Sequence, residues 1–276
     1  MEVLYGLHPV EEALRSGSSR IDRISIARER SDRKLEQLAS LARAANVRVS
    51  LEPRDQLTRI SKTDMHQGVV AFVRDRQFLT IEDLLAPAPR SSEPADSHRR
   101  FFLALDSVED PHNLGALLRT ADGAGVDGVL LPERRSAPIT AVVAKTSAGA
   151  SEHVRIARVT NLVRALEQMK KANVWIVGLD ERGTPDYTNF DFASTDCCLV
   201  LGREGAGLHD LVKKTCDHLL RIPMAGQVSS LNVSVAGAVV MYEALRQRTG
   251  PNQIPAVQQR PSPAHKRPKE RRGLGS

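Results

Sequence analysis

Leu35, Leu38, Ala39, Ala42 and Ala45 recur at helical spacing, which predicts an amphipathic helix through this stretch. The period then changes. Val47-Arg48-Val49-Ser50-Leu51 alternates apolar and polar positions and reads as a half-buried strand. Ile21 to Ile26 also reads as a strand, Val69 to Val73 as a buried one, and Val10 to Arg15 as a helix. Helices alternating with strands predict a small α/β domain over residues 1–76. Pro87-Ala88-Pro89-Arg90-Ser91-Ser92-Glu93-Pro94 can continue neither element, so residues 77–100 read as a linker with one helical patch, Ile81 to Leu85. A second domain is predicted over residues 101–249. Its apolar runs are Phe101 to Leu105, Val129 to Leu131, Val174 to Val177 and Cys197 to Leu201, with helical segments between them. Such runs fit a parallel sheet covered on both faces, and pattern alone suggests an ordinary doubly wound fold. Leu219 to Met224 reads as strand-like, and the last helix is predicted from Leu231 to Arg248.

Charge changes this picture at one end. The formal net charge is +6. Beyond residue 250, Arg260, Lys266, Arg267, Lys269, Arg271 and Arg272 stand against Glu270 alone, so the tail holds most of the excess. The folded body is nearly neutral, and any RNA binding there needs a local patch. The composition of residues 250–276 reads as a disordered tail, either an RNA-touching arm or a solvated appendage. Cys197, Cys198 and Cys216 show no metal-ligand spacing and read as small buried residues of a reducing cytosol. The opening lacks a basic start and an apolar stretch, and no apolar run approaches the ~20 residues of a membrane span. A cytoplasmic protein with no membrane segment and no metal is the expectation.

Three segments break the apolar logic. In Ser229-Ser230-Leu231-Asn232-Val233-Ser234-Val235-Ala236-Gly237, small polar residues interrupt what reads as a buried helix start, and buried polar groups are costly unless paired. Asp110-Pro111-His112-Asn113 precedes an amphipathic helix that carries Arg119. Leu199-Val200-Leu201 runs into Gly202-Arg203-Glu204-Gly205-Ala206-Gly207-Leu208, a glycine-rich turn at a strand's carboxyl end, where open α/β sheets bind ligands. Structural readings exist for each: Asn113, Ser230 and Asn232 as helix N-caps, Arg119 as a surface arginine, the glycines as a tight turn.

In this order the segments resemble the three motifs of the SpoU (TrmH) family, RNA ribose 2′-O-methyltransferases of the SPOUT superfamily. The resemblance implies an α/β domain with a deep trefoil knot near the carboxyl end, a homodimer, and S-adenosylmethionine as cosubstrate with no metal. It makes Asn113, Arg119, Glu204, Ser230 and Asn232 the catalytic group. It makes Leu201, Gly202, Ile222, Met224 and Leu231 the cofactor pocket, joined by Thr146 and Gly149 from Lys145-Thr146-Ser147-Ala148-Gly149-Ala150. Gly6-Leu7-His8-Pro9-Val10-Glu11-Glu12-Ala13-Leu14 and His66-Gln67-Gly68-Val69 resemble the amino-terminal RNA-binding domain, similar to the L30e fold, of a subgroup that methylates a guanosine of 23S ribosomal RNA. Transfer RNA modification, a thiostrepton-resistance type of ribosomal methylation and a non-catalytic ribosome-assembly role stand as alternatives.

Overall fold

The computed structural model describes residues 2–17, 20–29, 33–74, 76–86, 99–203 and 205–249. The predicted basic tail lies outside them. The amino-terminal unit runs β1 (Glu2–Tyr5), α1 (Leu7–Gly17), β2 (Ile21–Ala27), α2 (Arg33–Ala44), β3 (Arg48–Glu52), α3 (Arg54–Ser61) and β4 (Val69–Val73). Its sheet has the order β1-β4-β2-β3, antiparallel except for the β2–β3 pair. Strand alternation sorts the side chains. Leu4, Ile24, Ile26, Val69, Ala71 and Val73 face α1 and α2, where they meet Val10, Leu14, Leu35, Leu38 and Ala42. Ala27 and Val70 face the other way, onto Leu57 of α3. The sequence pattern anticipates neither β1 nor α3. His66 is fully buried; its Nδ1 accepts from the Gly68 amide at 3.1 Å, and its Nε2 lies 3.2 Å from the Thr58 hydroxyl. Gln67 Oε1 accepts the Leu7 amide at 2.9 Å, which satisfies a free donor at the start of α1. The His66-Gln67-Gly68 turn is therefore built for structure.

The second unit comprises α4 (Ile81–Leu85), β5 (Phe101–Leu105), α5 (Pro111–Gly123), β6 (Gly128–Pro132), α6 (Ala141–Thr146), β7 (Ile156–Val159), α7 (Leu162–Lys171), β8 (Trp175–Leu179), β9 (Cys197–Leu201), α8 (Asp210–Thr215), β10 (His218–Leu220) and α9 (Val233–Thr249). A parallel sheet of order β10-β8-β9-β5-β6-β7 forms its centre. Leu103, Leu105, Leu199 and Leu201 pack on one face against Leu117 and Leu118 of α5 and Val240 and Met241 of α9. Phe102, Leu130, Ile176 and Val200 pack on the other against Leu84, Leu166, Met169 and Val212. Both faces are covered, which explains the unbroken apolar runs. Cys197 joins the first layer and Cys198 the second. Burial pushes the thiols of Cys197 and Cys216 up to about 12. Among the described residues, no helix is long and apolar enough to cross a membrane.

Two boundaries differ from the sequence pattern. The strand expected over Leu219–Met224 ends at Leu220. The Arg221 amide donates to Pro185 O at 3.1 Å, its Nε reaches Asp186 at 2.6 Å, and Pro223 has no N–H to give a ladder. The last helix begins at Val233, and Ser229 to Asn232 lie exposed before it. That polar run faces solvent, so the expected burial cost does not arise. Within α9, a Cβ at Gly237 would stand 2.6 Å from Leu201 Cδ1 and 2.7 Å from Leu117 Cδ2. Glycine there lets α9 seat directly on β9 and α5.

The two units meet along α1, α6 and the turn after it. Glu152, largely buried, receives Arg76 at 2.6 Å and Arg20. Glu12 pairs with His153 at 2.8 Å. Gly149 adopts φ +91°, and a Cβ on it would lie 2.6 Å from Glu12 Cβ. The Lys145–Ala150 segment thus forms part of this seam.

Candidate active site

A cavity of about 320 Å³ opens at the carboxyl ends of β8 and β9. That volume is at the lower end of the ~300–1,000 Å³ usual for small-molecule sites. Leu179, Leu201, Ile222, Leu231, Val233 and Ala236 supply its apolar wall, with Met224 at the mouth. Asp180, Glu181, Arg182, Arg203 and Lys213 supply an ionic side. An aromatic base on the apolar wall and a charged end against the ionic side would satisfy both. The donor set therefore fits an amphipathic cofactor such as S-adenosylmethionine. Among the described residues, no group of three or more His, Cys, Asp or Glu is placed to hold a metal ion.

The glycine turn forms the roof. Gly205 and Gly207 take φ +76° and +65°, a left-handed conformation that L side chains disfavour. The Gly207 amide donates to Arg203 O at 3.0 Å. A Cβ at Gly202 would fall 2.2 Å from Gly207 C and 2.5 Å from the Leu208 amide nitrogen. Glycine at 202 thus lets the turn close on itself, a reason independent of room for a ligand. Glu204 lies outside the described residues.

Asp180 sits beneath this roof, and the sequence pattern did not single it out. Its carboxylate meets Lys213 at 2.6 Å and accepts the Arg182 amide at 3.0 Å. Burial pushes the carboxyl up, but the Lys213 and Arg182 hydrogen bonds and both cations outweigh it and hold the group below the usual range. The available signal was Leu179-Asp180-Glu181-Arg182, a polar run closing a buried strand. Asp106, buried at the end of β5, is a second site residue that the sequence pattern does not single out. It accepts the His209 amide at 2.8 Å and faces His209 Nδ1 at 2.9 Å, which ties the end of the glycine turn to β5.

The asparagines of the first and third motifs meet. Asn232 Nδ2 donates to Asn113 Oδ1 at 3.1 Å, across 119 residues. The cap of α5 is Asp110, whose carboxylate accepts the His112 amide at 2.8 Å, so Asn113 stands in the first turn and does not cap the helix. Asn232 precedes α9, and its Oδ1 accepts the Ser234 amide at 2.9 Å. It thus starts the helix and contacts Asn113 at once. Ser230 lines the cavity beside Leu231. Leu201, Gly202, Ile222 and Met224 line it as well. Arg119 stands on the exposed side of α5 and is not among the lining residues. Thr146 and Gly149 are not either. Thr146 packs on Gly115 and donates to Val142 O at 2.9 Å, while Gly149 packs on α1.

Comparison with known proteins agrees with this geometry. Residues 100–242 match the SpoU rRNA Methylase family, and residues 3–79 match the RNA 2′-O ribose methyltransferase substrate binding family. The chain is 40% identical over 247 residues to the putative TrmH family tRNA/rRNA methyltransferase YacO of Bacillus subtilis, covering 90% of this chain and 96% of that protein. It is 42% identical over 248 residues to the 23S rRNA (guanosine-2′-O-)-methyltransferase RlmB of Yersinia pestis, covering 90% and 98%. Among solved structures, the AdoMet-bound rRNA methyltransferase of Sinorhizobium meliloti superposes with a TM-score of 0.71 at 28% identity, over 88% of this chain and 86% of that one. The SpoU methyltransferase AviRb of Streptomyces viridochromogenes, in complex with AdoMet, gives 0.72 at 25% identity, over 89% and 90%. With both units matched and the motif asparagines bonded beside one cavity, the chain belongs to the SpoU rRNA methylase family.

Proposed function

We propose that this chain methylates the ribose 2′-hydroxyl of a guanosine in 23S ribosomal RNA, with S-adenosylmethionine as donor. The observation that carries the reading is the Asn113–Asn232 hydrogen bond beside a cavity built from the second and third motifs. Support for the substrate comes from relatives named as 23S rRNA (guanosine-2′-O-)-methyltransferases, matched over nearly their whole length.

S-adenosylmethionine, when bound, supplies a methyl group open to nucleophilic attack. Leu201, Ile222, Met224 and Leu231 would hold its base by apolar contact, with Gly202 at the floor of the turn above. Ser230, Asn113 and Asn232 would orient the ribose so that its hydroxyl lies in line with the methyl. Arg119 is assigned to a phosphate flanking that ribose, where its planar fork binds in bidentate fashion. It is a poor general base, because arginine keeps its proton to a pKa above ~12. Stabilising the negative charge that grows on the ribose oxygen suits it better. Glu204 is assigned to the same group on the motif alone. Thr146 is assigned to the packing of α6 on α5, and Gly149 to the seam between the units, instead of the cofactor.

We also place the family's trefoil knot where α9 returns from β10 to pack on β9 and α5, and a homodimer on α9. The first part of that helix, residues 233–242, is apolar apart from Ser234 and leaves Val235 and Tyr242 exposed, apolar surface that a second copy would cover. The proposed substrate puts the enzyme in the cytoplasm. The test is incubation with radiolabelled S-adenosylmethionine and unmethylated 23S rRNA or transfer RNA. Label is expected in 23S rRNA, at one guanosine, in a linkage resistant to alkali because the 2′-oxygen is blocked. Label in transfer RNA instead would overturn the substrate assignment.

A further inference from the structure

The amino-terminal sheet has one packed face and one half-open face. On the second, α3 covers Ala27 and Val70 through Leu57, and Val3 and Phe72 pack partly buried against the edge of that cluster. The register places a different row at the far end of the strands. Val3 of β1 lies opposite Phe72 of β4, Phe72 opposite Arg23 of β2, and Arg23 beside Arg48 of β3. With strands about 4.8 Å apart, this row is about 14 Å long. Its order is aliphatic, aromatic, cation, cation.

The cations are out of place for a purely structural sheet. β2 is an inner strand, where strand pattern favours an apolar or small residue. The next row is small and paired, with the Ser25 and Ser50 hydroxyls 3.1 Å apart. Arg23 stays partly exposed, its guanidinium carbon 3.8 Å from the centre of the Phe72 ring. Asp22 takes one Arg23 nitrogen at 3.1 Å, and both side chains remain about two-fifths exposed, so solvent screens the pair. Arg48 is exposed, and Phe72 and Val3 are half-buried. An aromatic ring stacked with one guanidinium, and a second guanidinium on the next strand, offers what single-stranded RNA needs: flat groups for a base and forked donors for phosphates. Without the tail the chain is nearly neutral, so a local patch of this kind is required for RNA to dock on the folded body.

We propose that Phe72, Arg23 and Arg48 form a docking surface for a single-stranded segment of the RNA substrate. The proposal deepens the RNA-methyltransferase reading and rests on it. The experiment uses the full chain and a fluorescein-labelled single-stranded oligoribonucleotide, with anisotropy measured across a salt series. The variants are Arg23→Gln/Arg48→Gln, Phe72→Leu, and a control of equal charge loss on α7, Arg164→Gln/Lys171→Gln. Circular dichroism and S-adenosylmethionine affinity are measured in parallel. The double arginine variant is expected to bind at least tenfold more weakly, and to flatten the slope of log K against log salt by about 1.4, two phosphate contacts at ~0.7 each. Phe72→Leu is expected to weaken binding roughly tenfold with its slope unchanged, since a stacking contact releases no counterions. The control should keep wild-type affinity and slope. A folded arginine variant with wild-type slope, or a control that loses as much, would overturn the proposal. Loss of RNA binding through these residues in a chain that neither binds S-adenosylmethionine nor methylates RNA would sink the enzymatic reading and leave the docking surface standing.

Discussion

Replacing Lys213 with Met removes the cation that offsets a buried carboxylate while keeping a long apolar stem. The Asp180 side chain is 6% exposed and that of Lys213 30%. Exposed ion pairs contribute ~0–1 kcal/mol, whereas breaking a fully buried pair costs ~3–5 kcal/mol. This pair has one member on each side of that divide, and Asp180 retains the Arg182 amide. A loss of about 2 kcal/mol at neutral pH is expected. Its pH dependence is the sharper test. In the wild-type chain the Asp180 carboxyl is held below its ordinary value of 3.8. A depressed carboxyl contributes stability above the unfolded value, and that contribution is lost as pH falls through the folded one. In the variant, burial acts without the cation and the carboxyl rises. The deficit should therefore be full at pH 7 and shrink as pH falls through the variant's raised carboxyl and then through the wild type's depressed one, below which Asp180 is neutral in both proteins. Urea unfolding at several pH values measures it, and the Asp180→Asn/Lys213→Met double variant reports the coupling between the two residues. S-adenosylmethionine affinity should fall too, because a Cβ at Gly207 would lie only 3.7 Å from Asp180 Oδ2, so the roof of the cavity rests close to this carboxylate. A deficit identical at pH 7 and pH 4 would mean that the lysine acts through its stem, and the electrostatic reasoning would be wrong.

Three further outcomes are expected. Arg119→Ala and Arg119→Lys should each lose most methyl transfer with S-adenosylmethionine binding nearly unchanged, since the residue does not line the cavity; near-normal turnover in either removes it from the mechanism. Ala236→Leu, which adds bulk to the cavity wall, should abolish cofactor binding while leaving circular dichroism intact, whereas Gly202→Val should also disturb the fold of the turn, because its Cβ meets Gly207 backbone; unaltered affinity in the Ala236 variant would misplace the pocket. Cys197 and Cys198, buried with thiols raised by that burial, should resist a disulfide reagent at pH 8 in the native chain and react after unfolding, while the half-buried Cys216 should react more slowly than a free thiol; rapid native labelling of Cys197 or Cys198 would contradict their burial.

The parts of the fold legible in the sequence are those with a strong period. β5, β8 and β9 are buried on both faces, so they read as unbroken apolar runs with no competing pattern. α2 shows its helical stripe because one face meets the sheet and the other meets water. β1 and α3 escaped for a common reason. β1 is an edge strand of four residues, and α3 buries Leu57 as its one fully enclosed side chain, so neither repeats its pattern often enough to be seen. The end of β10 is hidden in the sequence because Leu219 to Met224 looks apolar, while the backbone of Arg221 is claimed by Pro185, a partner that local sequence does not reveal.

The site follows the same division. The motif segments were visible because polar and glycine residues stood where a buried strand or helix was expected. What joins them was not visible, because each joining contact spans a long stretch of chain. Asn113 and Asn232 are 119 residues apart, Asp106 and His209 are 103 apart, and Asp180 and Lys213 meet only because β8 and α8 flank the same turn. Pattern at each end is compatible with a helix cap or a solvated charge, and only the parallel order of the strands brings the ends together. The same logic separates Thr146 and Gly149 from the cavity. Their small size reads equally well as room for a ligand or room for a neighbouring helix, and the neighbours here are Gly115 of α5 for Thr146 and α1 for Gly149, with Glu12 filling the space that a Cβ at Gly149 would take. A small residue in a motif therefore marks close approach, and the partner in that approach has to be found in three dimensions.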